Sequence, residues 1–304
     1  MRVGGGLGGD VLVAAPKVPG MSKKALVTGS SSGIGLHIAR ELARNGHDLI
    51  LVAPEEAEVR QVAAVLAKEF NVAAEAIAAD LTTEEGLEAV MRAPSAQDIE
   101  ILVNNAGLGM RGKFVEYPLG RDTTMLRLNI EAVVRLSKEF LPRFIARKSG
   151  RLMNTASVAA FEPAPNLAVY SATKAFVLSF SEALATEVEG TGVTVTALCP
   201  GATDTDFFEK AEMENVAGVH KGKVMAPQEV ADKAYKGMMA GERVVVCGGF
   251  NKAMVFARHL MPESMQAKKN EKMYEDVEPE DRKHARGDEE LEAEEKQPAG
   301  RTDS

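Results

Sequence analysis

A chain of 304 residues, 45% of them hydrophobic and 26% charged, has apolar material for one large α/β domain or two small ones. Its net charge of -8 argues against a nucleic-acid partner, which would require a basic face. Cys199 and Cys247 stand far apart and the five histidines show no paired spacing. A disulfide scaffold is thereby excluded, a metal site is not expected, and a reducing, cytoplasmic compartment is.

Residues 1–20 are glycine-rich, with one short apolar patch at Val11–Ala15, and read as a disordered extension ahead of an ordinary start at Met21. No stretch approaches the ~18 apolar residues of a membrane span. Lys24–Thr28 reads as a buried strand and Gly33–Asn45 as a helix closed by Gly46. Asp48–Ala53 is a second strand, Glu55–Phe70 a helical stretch, Ala74–Ala79 a weaker strand and Ile99–Asn104 a clear one. A helix over Thr123–Arg147, a strand at Gly150–Thr155, a helix over Asn166–Val188 and a strand at Val193–Leu198 continue the alternation. The helical stretch Pro227–Met239 leads to a last strand, Arg243–Cys247. Strands separated by helices imply right-handed crossovers, and so a single doubly wound α/β (Rossmann) domain over 21–262 with a mostly parallel seven-stranded sheet. Residues 263–304, densest in charge over 275–296, read as a polar, largely disordered tail with too little to bury.

Gly29, Gly33 and Gly35 fall between the first strand and the first helix. There the first serves a tight turn, the second lets backbone approach a pyrophosphate, and the third lets helix pack on strand. The exposed amides and positive helix end then suit an anion, so the loop reads as nucleotide-binding. Tyr170 and Lys174, four apart in a helix, share one face. A phenol titrates near ~10, and an ammonium one turn away would stabilise its anion and fit it for acid/base work. Ser157 follows a strand at the carboxyl edge of the sheet, where a hydroxyl can meet a substrate oxygen beside that phenol. Asn129, inside a predicted helix, carries little weight alone.

Thr28-Gly29-Ser-Ser31-Ser-Gly33-Ile34-Gly35, Asp80-Leu81, Asn104-Asn105-Ala106-Gly107, Asn129, Ser157, Tyr170-Ser-Ala-Thr-Lys174 and Pro200-Gly201 together resemble the short-chain dehydrogenase/reductase family over about residues 22–250. The stretch Cys199–Phe208 resembles its general ketone and aldehyde reductases. The resemblance implies hydride transfer between a nicotinamide cofactor and a carbonyl or secondary alcohol of a moderately hydrophobic small molecule. It implies Tyr170 as general acid/base, Lys174 lowering its pKa and holding the nicotinamide ribose, Ser157 orienting the carbonyl, and Asn129 keeping a water in the proton path. Asp80 and Leu81 would border the adenine, Asn105, Ala106 and Gly107 would line the cleft, and Pro200, Gly201 and Thr205 would cover the nicotinamide end. A homodimer or homotetramer joined through the two long helices is also implied.

A non-catalytic dinucleotide-binding sensor or scaffold is the alternative, disfavoured because Tyr170 and Lys174 are both present. An epimerase or dehydratase would need more substrate-binding chain than follows the last strand. Cys199 reads as a small apolar strand residue rather than a reactive thiol. For the cofactor, the second strand ends Leu51-Val52-Ala53, without the acid that favours NAD, and Pro54-Glu55-Glu56 follows without the Arg that favours NADP. Ser30 and Ser31 tip the reading to NADP(H), with NAD as the alternative if Glu55 or Glu56 reaches the ribose. The segment Thr203–Val224 and the apolar stretch Phe250–Met265 are expected to cover the substrate.

Overall fold

The computed structural model describes residues 23–220, 222, 224–258, 262–278, 282 and 287. The expected extension over 1–20 and the expected tail from 288 lie outside them. Seven strands, β1 (Lys24–Thr28), β2 (Asp48–Ala53), β3 (Ala74–Ala78), β4 (Ile101–Asn104), β5 (Gly150–Thr155), β6 (Val193–Cys199) and β7 (Val244–Val246), form one sheet in the order β3-β2-β1-β4-β5-β6-β7. Every pairing is parallel, so the expected doubly wound domain is present with no antiparallel edge.

The strands alternate sides with the period of two that extended backbone imposes. Ala25, Val27, Leu49, Leu51, Ile101 and Val103 enter one core layer, whereas Leu26, Ile50, Val52 and Leu102 enter the other. Burial on both faces explains why β1, β2 and β4 read as unbroken apolar runs. The first layer is covered by α1 (Gly33–Arg44), α2 (Glu56–Phe70) and α9 (Pro227–Ala240). The second is covered by α3 (Glu84–Arg92), α5 (Val133–Arg147) and the end of α6 (Ala168–Glu187).

Three departures from the sequence reading bear on the site. The long helix expected over Thr123–Arg147 is α4 (Leu119–Leu126), a π-helical turn (Arg127–Ala132) and α5. The helix expected from Asn166 starts two residues later, because Asn166 turns left-handed at φ 65°. Beyond β7, α10 (Gly249–Arg258) and α11 (Glu263–Met273) follow, so the polar region expected from residue 263 begins as a helix. Buried Gln266, Asn270 and Val277 anchor this arm, which the density of charge around them hides in the sequence. The short helices α7 (Phe207–Lys210) and α8 (Ala217–His220) shape the expected covering segment.

Between β4 and β5 the core is polar. Asn104 Nδ2 donates to Asn154 Oδ1 at 2.9 Å and to Ser137 Oγ at 3.2 Å, while Asn154 Nδ2 donates to Ser181 Oγ at 2.9 Å. This buried chain ties α5 and α6 to the strands that carry the site. Asn154→Ala removes the acceptor of Asn104 on one side and the donor to Ser181 on the other, and is expected to lower stability by about 1–3 kcal/mol. Urea denaturation checks it, and an unchanged midpoint would show the network to be dispensable.

Candidate active site

At the carboxyl ends of the strands a cavity of about 500 Å³ runs from Glu55 and Asp80 to Tyr274. It lies where the strand order reverses between β1 and β4, the crevice in which doubly wound sheets bind ligands. Of the residues singled out in the sequence, Gly29, Ser31, Gly33, Ile34, Asp80, Leu81, Asn105, Ala106, Gly107, Ser157, Tyr170, Lys174, Pro200, Gly201 and Thr205 all line it. Gly35 and Asn129 do not, and stand behind its wall.

The glycine loop is shaped by close approach. Gly29 turns left-handed at φ 63°, and a Cβ there would fall 2.8 Å from Ala106 Cα. At Gly35 a Cβ would fall 2.0 Å from the Gly29 carbonyl oxygen, so only glycine lets α1 start this close to β1. The first amides of α1 receive no side-chain cap, which leaves donors and the positive helix end at the cavity. These features fit a dinucleotide pyrophosphate. Asp80 is partly committed elsewhere: its Oδ1 accepts from Thr82 N at 2.9 Å and Thr82 Oγ1 at 2.8 Å. Ser30, expected to offer a hydroxyl to phosphate, is buried with its Oγ directed at Val52 O, 3.4 Å away; of the expected pair, only Ser31 faces the cavity.

Sequence reasoning missed the seam that holds this loop. Thr28 Oγ1 accepts from the backbone N–H of both Asn105 and Ala106 at 3.0 Å. Asn105 Nδ2 donates at 3.2 Å to the carbonyls of Thr28 and Gly29. A Thr at the end of the first strand was the available signal. Asn251 was missed too: its Nδ2 donates to Cys247 O at 2.7 Å, and a Cβ on Gly201 would meet that amide at 2.2 Å.

At the other end, α6 carries Tyr170 and Lys174 on its buried face. Lys174 Nζ donates to the Thr155 carbonyl at 2.8 Å and stands 5.8 Å from the Tyr170 ring centroid. Burial pushes the phenol up to about 12, a hydrogen bond with Ser157 opposing it, and pushes Lys174 down to about 8. The expected lowering of the phenol by the ammonium is therefore absent, because desolvation favours the neutral form of each group. The result is a protonated phenol at neutral pH. Burial likewise pushes Cys199 up to about 12, which leaves no nucleophilic thiolate there.

Asn129 sits in the π-helical turn, a distortion that points it inward. Its Nδ2 donates to Leu108 O at 2.8 Å and Thr173 Oγ1 at 3.0 Å, and its Oδ1 accepts from Leu108 N at 2.9 Å. Thr173, which no sequence signal singles out, donates in turn to the Tyr170 carbonyl at 2.7 Å. A Cβ on Gly107 would lie 3.3 Å from both Asn129 Oδ1 and Lys174 Nζ, so that backbone passes between the two.

Among the described residues no group of three or more His, Cys, Asp or Glu is placed to hold a metal, and no helix is long and apolar enough to cross a membrane. The family model for short chain dehydrogenase matches residues 23–215. An uncharacterised oxidoreductase of Staphylococcus epidermidis is 35% identical over 205 residues, covering 64% of this chain and 87% of that protein. A short-chain dehydrogenase from Sphingobium yanoikuyae, solved in complex with NADPH, superposes with a TM-score of 0.70 at 36% identity, over 78% of this chain and 94% of that one. The bulky-bulky ketone specific alcohol dehydrogenase from Comamonas testosteroni gives 0.66 at 33% identity, over 79% and 93%. The chain belongs to the short-chain dehydrogenase family and is an NAD(P)-dependent oxidoreductase of carbonyl and alcohol groups.

Proposed function

We propose that this chain interconverts an apolar ketone or aldehyde and its alcohol, with Tyr170 as the proton donor and acceptor. The observation that carries the reading is the meeting of Tyr170 and Ser157 in one cavity with the glycine cradle of α1. When bound, the nicotinamide cofactor supplies or accepts the hydride. In the reductive direction the Tyr170 phenol, neutral at working pH, gives its proton to the carbonyl oxygen that the Ser157 hydroxyl orients. Lys174, anchored on Thr155, would hold the ribose of the cofactor and return the proton. Asn129 holds Leu108 and Thr173 in register and, through Gly107, keeps the path to Lys174 open. The Comamonas relative's bulky ketones support the substrate class, as do Phe207, Met213 and Val216 on the cavity wall. The catalytic unit, read from the sequence as 21–262, is extended to residue 278 by the docked arm.

For the cofactor we infer NADP(H), with NAD as the alternative. Ser31 and Ser32 line the adenosine end, Ala53 leaves no acid at the end of β2, and the Sphingobium relative holds NADPH. Glu55 on the same wall is the feature that favours NAD. Assembly as a homodimer or homotetramer is supported by Leu126, Ile130 and Val134 at four-residue spacing. Exposed Phe176, stacked 5.7 Å from Phe180, extends the apolar surface on α6.

Tyr170→Phe is expected to cut kcat by about 10²–10⁴-fold while leaving the Kd for cofactor nearly unchanged. Retention of more than half of the activity would contradict the assignment. Comparing kcat/KM for NADPH and NADH decides the second reading, which a tenfold or larger advantage for NADH would overturn. Sedimentation at micromolar concentration is expected to show a dimer or tetramer, and a monomer would remove the proposed interface.

A further inference from the structure

The C-terminal arm reaches back across the molecule and ends at the substrate side of the cavity. Its Met273 and Tyr274 line the same space as Tyr170. Tyr274 packs in one apolar cluster with Tyr170, Phe207, Met213, Val216 and Val219. The side chain is half-buried, and burial raises its pKa, with Tyr170 and Glu162 adding to that.

The arm is built into the wall rather than laid over it. Val216 and Asp276 form an antiparallel bridge, with Ala217 N donating to Glu275 O at 2.9 Å and Val277 N donating to Asn215 O at 2.8 Å. Arg111, on the loop after β4, donates from Nε to the Tyr274 carbonyl at 2.8 Å and pairs with Asp276 at 2.9 Å. Asn270 Nδ2 donates to Pro163 O at 2.9 Å, and Gly218 leaves room for Met273, whose Cγ would lie 2.9 Å from a Cβ there. Three separate loops thus hold Tyr274 in place.

We propose that Tyr274 is a specificity-determining residue, the ceiling of the substrate pocket, and that it limits the size of the apolar ketone that can reach Tyr170. The inference rests on the ketone-reductase reading above. The ring sets the limit and the hydroxyl does not, because the surrounding wall is apolar and the phenol stays neutral. A hydrophobic wall discriminates by size with modest factors, about 10–200-fold for one methylene group.

The test compares kcat/KM for a one-ring and a two-ring apolar ketone, on the full chain and its variants. Tyr274→Ala is expected to raise the ratio of two-ring to one-ring activity at least tenfold, and Tyr274→Phe to leave it within about threefold. Arg111→Ala, which frees the arm without touching the cavity ceiling directly, should shift the ratio in the same direction as Tyr274→Ala. Should Tyr274→Ala fail to fold, Tyr274→Leu is read in its place. An unchanged ratio in a folded Tyr274→Ala or Tyr274→Leu protein overturns the proposal, as does a Tyr274→Phe shift equal to that of alanine. Calorimetric binding of both ketones in the presence of oxidised NADP, which has no hydride to give, separates this inference from the reaction itself. Selective gain of two-ring binding in the alanine variant, with no turnover by any form, would uphold the ceiling and sink the reductase reading. Unchanged discrimination in turnover and binding alike, with the reaction intact, would sink the ceiling alone.

Discussion

The seam between β1 and β4 is the constraint on which the rest of the site depends. Chain order reverses there, so the loops leaving the two strands diverge and open a crevice. Four hydrogen bonds between Thr28, Gly29, Asn105 and Ala106 close its base, at a separation that excludes a side chain on Gly29. The first turn of α1 can present its free amides to the crevice only while the loop is tucked against Ala106. The same backbone, two residues on, passes between Asn129 and Lys174. Loosening the seam would therefore move the dinucleotide cradle and the proton-handling residues together.

Within the crevice, desolvation outweighs pairwise attraction. Tyr170 and Lys174 were expected to stabilise one another as an ion pair, yet burial pushes the phenol up and the ammonium down. Lys174 gives a hydrogen bond to a carbonyl, not to the phenol, so there is little to offset the loss of water. A neutral acid beside a hydrogen-bonding serine is suited to protonating an oxygen that is gaining charge. Running the reaction backwards requires that phenol to lose its proton in the same dry surroundings, where any added positive charge would help.

What could be read from the sequence follows from how local each signal is. The strands β1, β2 and β4 were legible because both faces are buried, and Gly29, Gly33 and Gly35 because backbone clearance imposes them. Tyr170 and Lys174 were legible because helical spacing alone puts them on one face. Asn129 was visible as a residue but not as a geometry, since the π-helical turn that aims it inward has no compositional mark. Thr173 and Asn251 bond to backbone within their own turns, but what they meet across the fold, Asn129 and Gly201, is announced by nothing near them in sequence. The arm was misjudged for a related reason. Its few anchoring residues are diluted by lysines and glutamates, and they pair with residues far off in sequence, Asn270 with Pro163 and Val277 with Asn215.

That asymmetry has a physical consequence for how the enzyme is divided. The residues proposed to handle cofactor and proton stand on strand ends and on α6, held by the sheet itself. The residues proposed to surround the substrate stand on the segment around Val216 and on the arm, which Arg111 ties to the loop after β4. The Arg111–Asp276 pair is partly exposed, at 21% and 58%, and such pairs contribute little, about 0–1 kcal/mol. Burial of a side chain such as Val277 contributes about 1.5–3 kcal/mol, and the backbone bonds at 215 and 217 add to it. The substrate side is therefore held by apolar contact and main-chain pairing more than by charge. Its shape can change residue by residue while the chemistry on the sheet stays as it is.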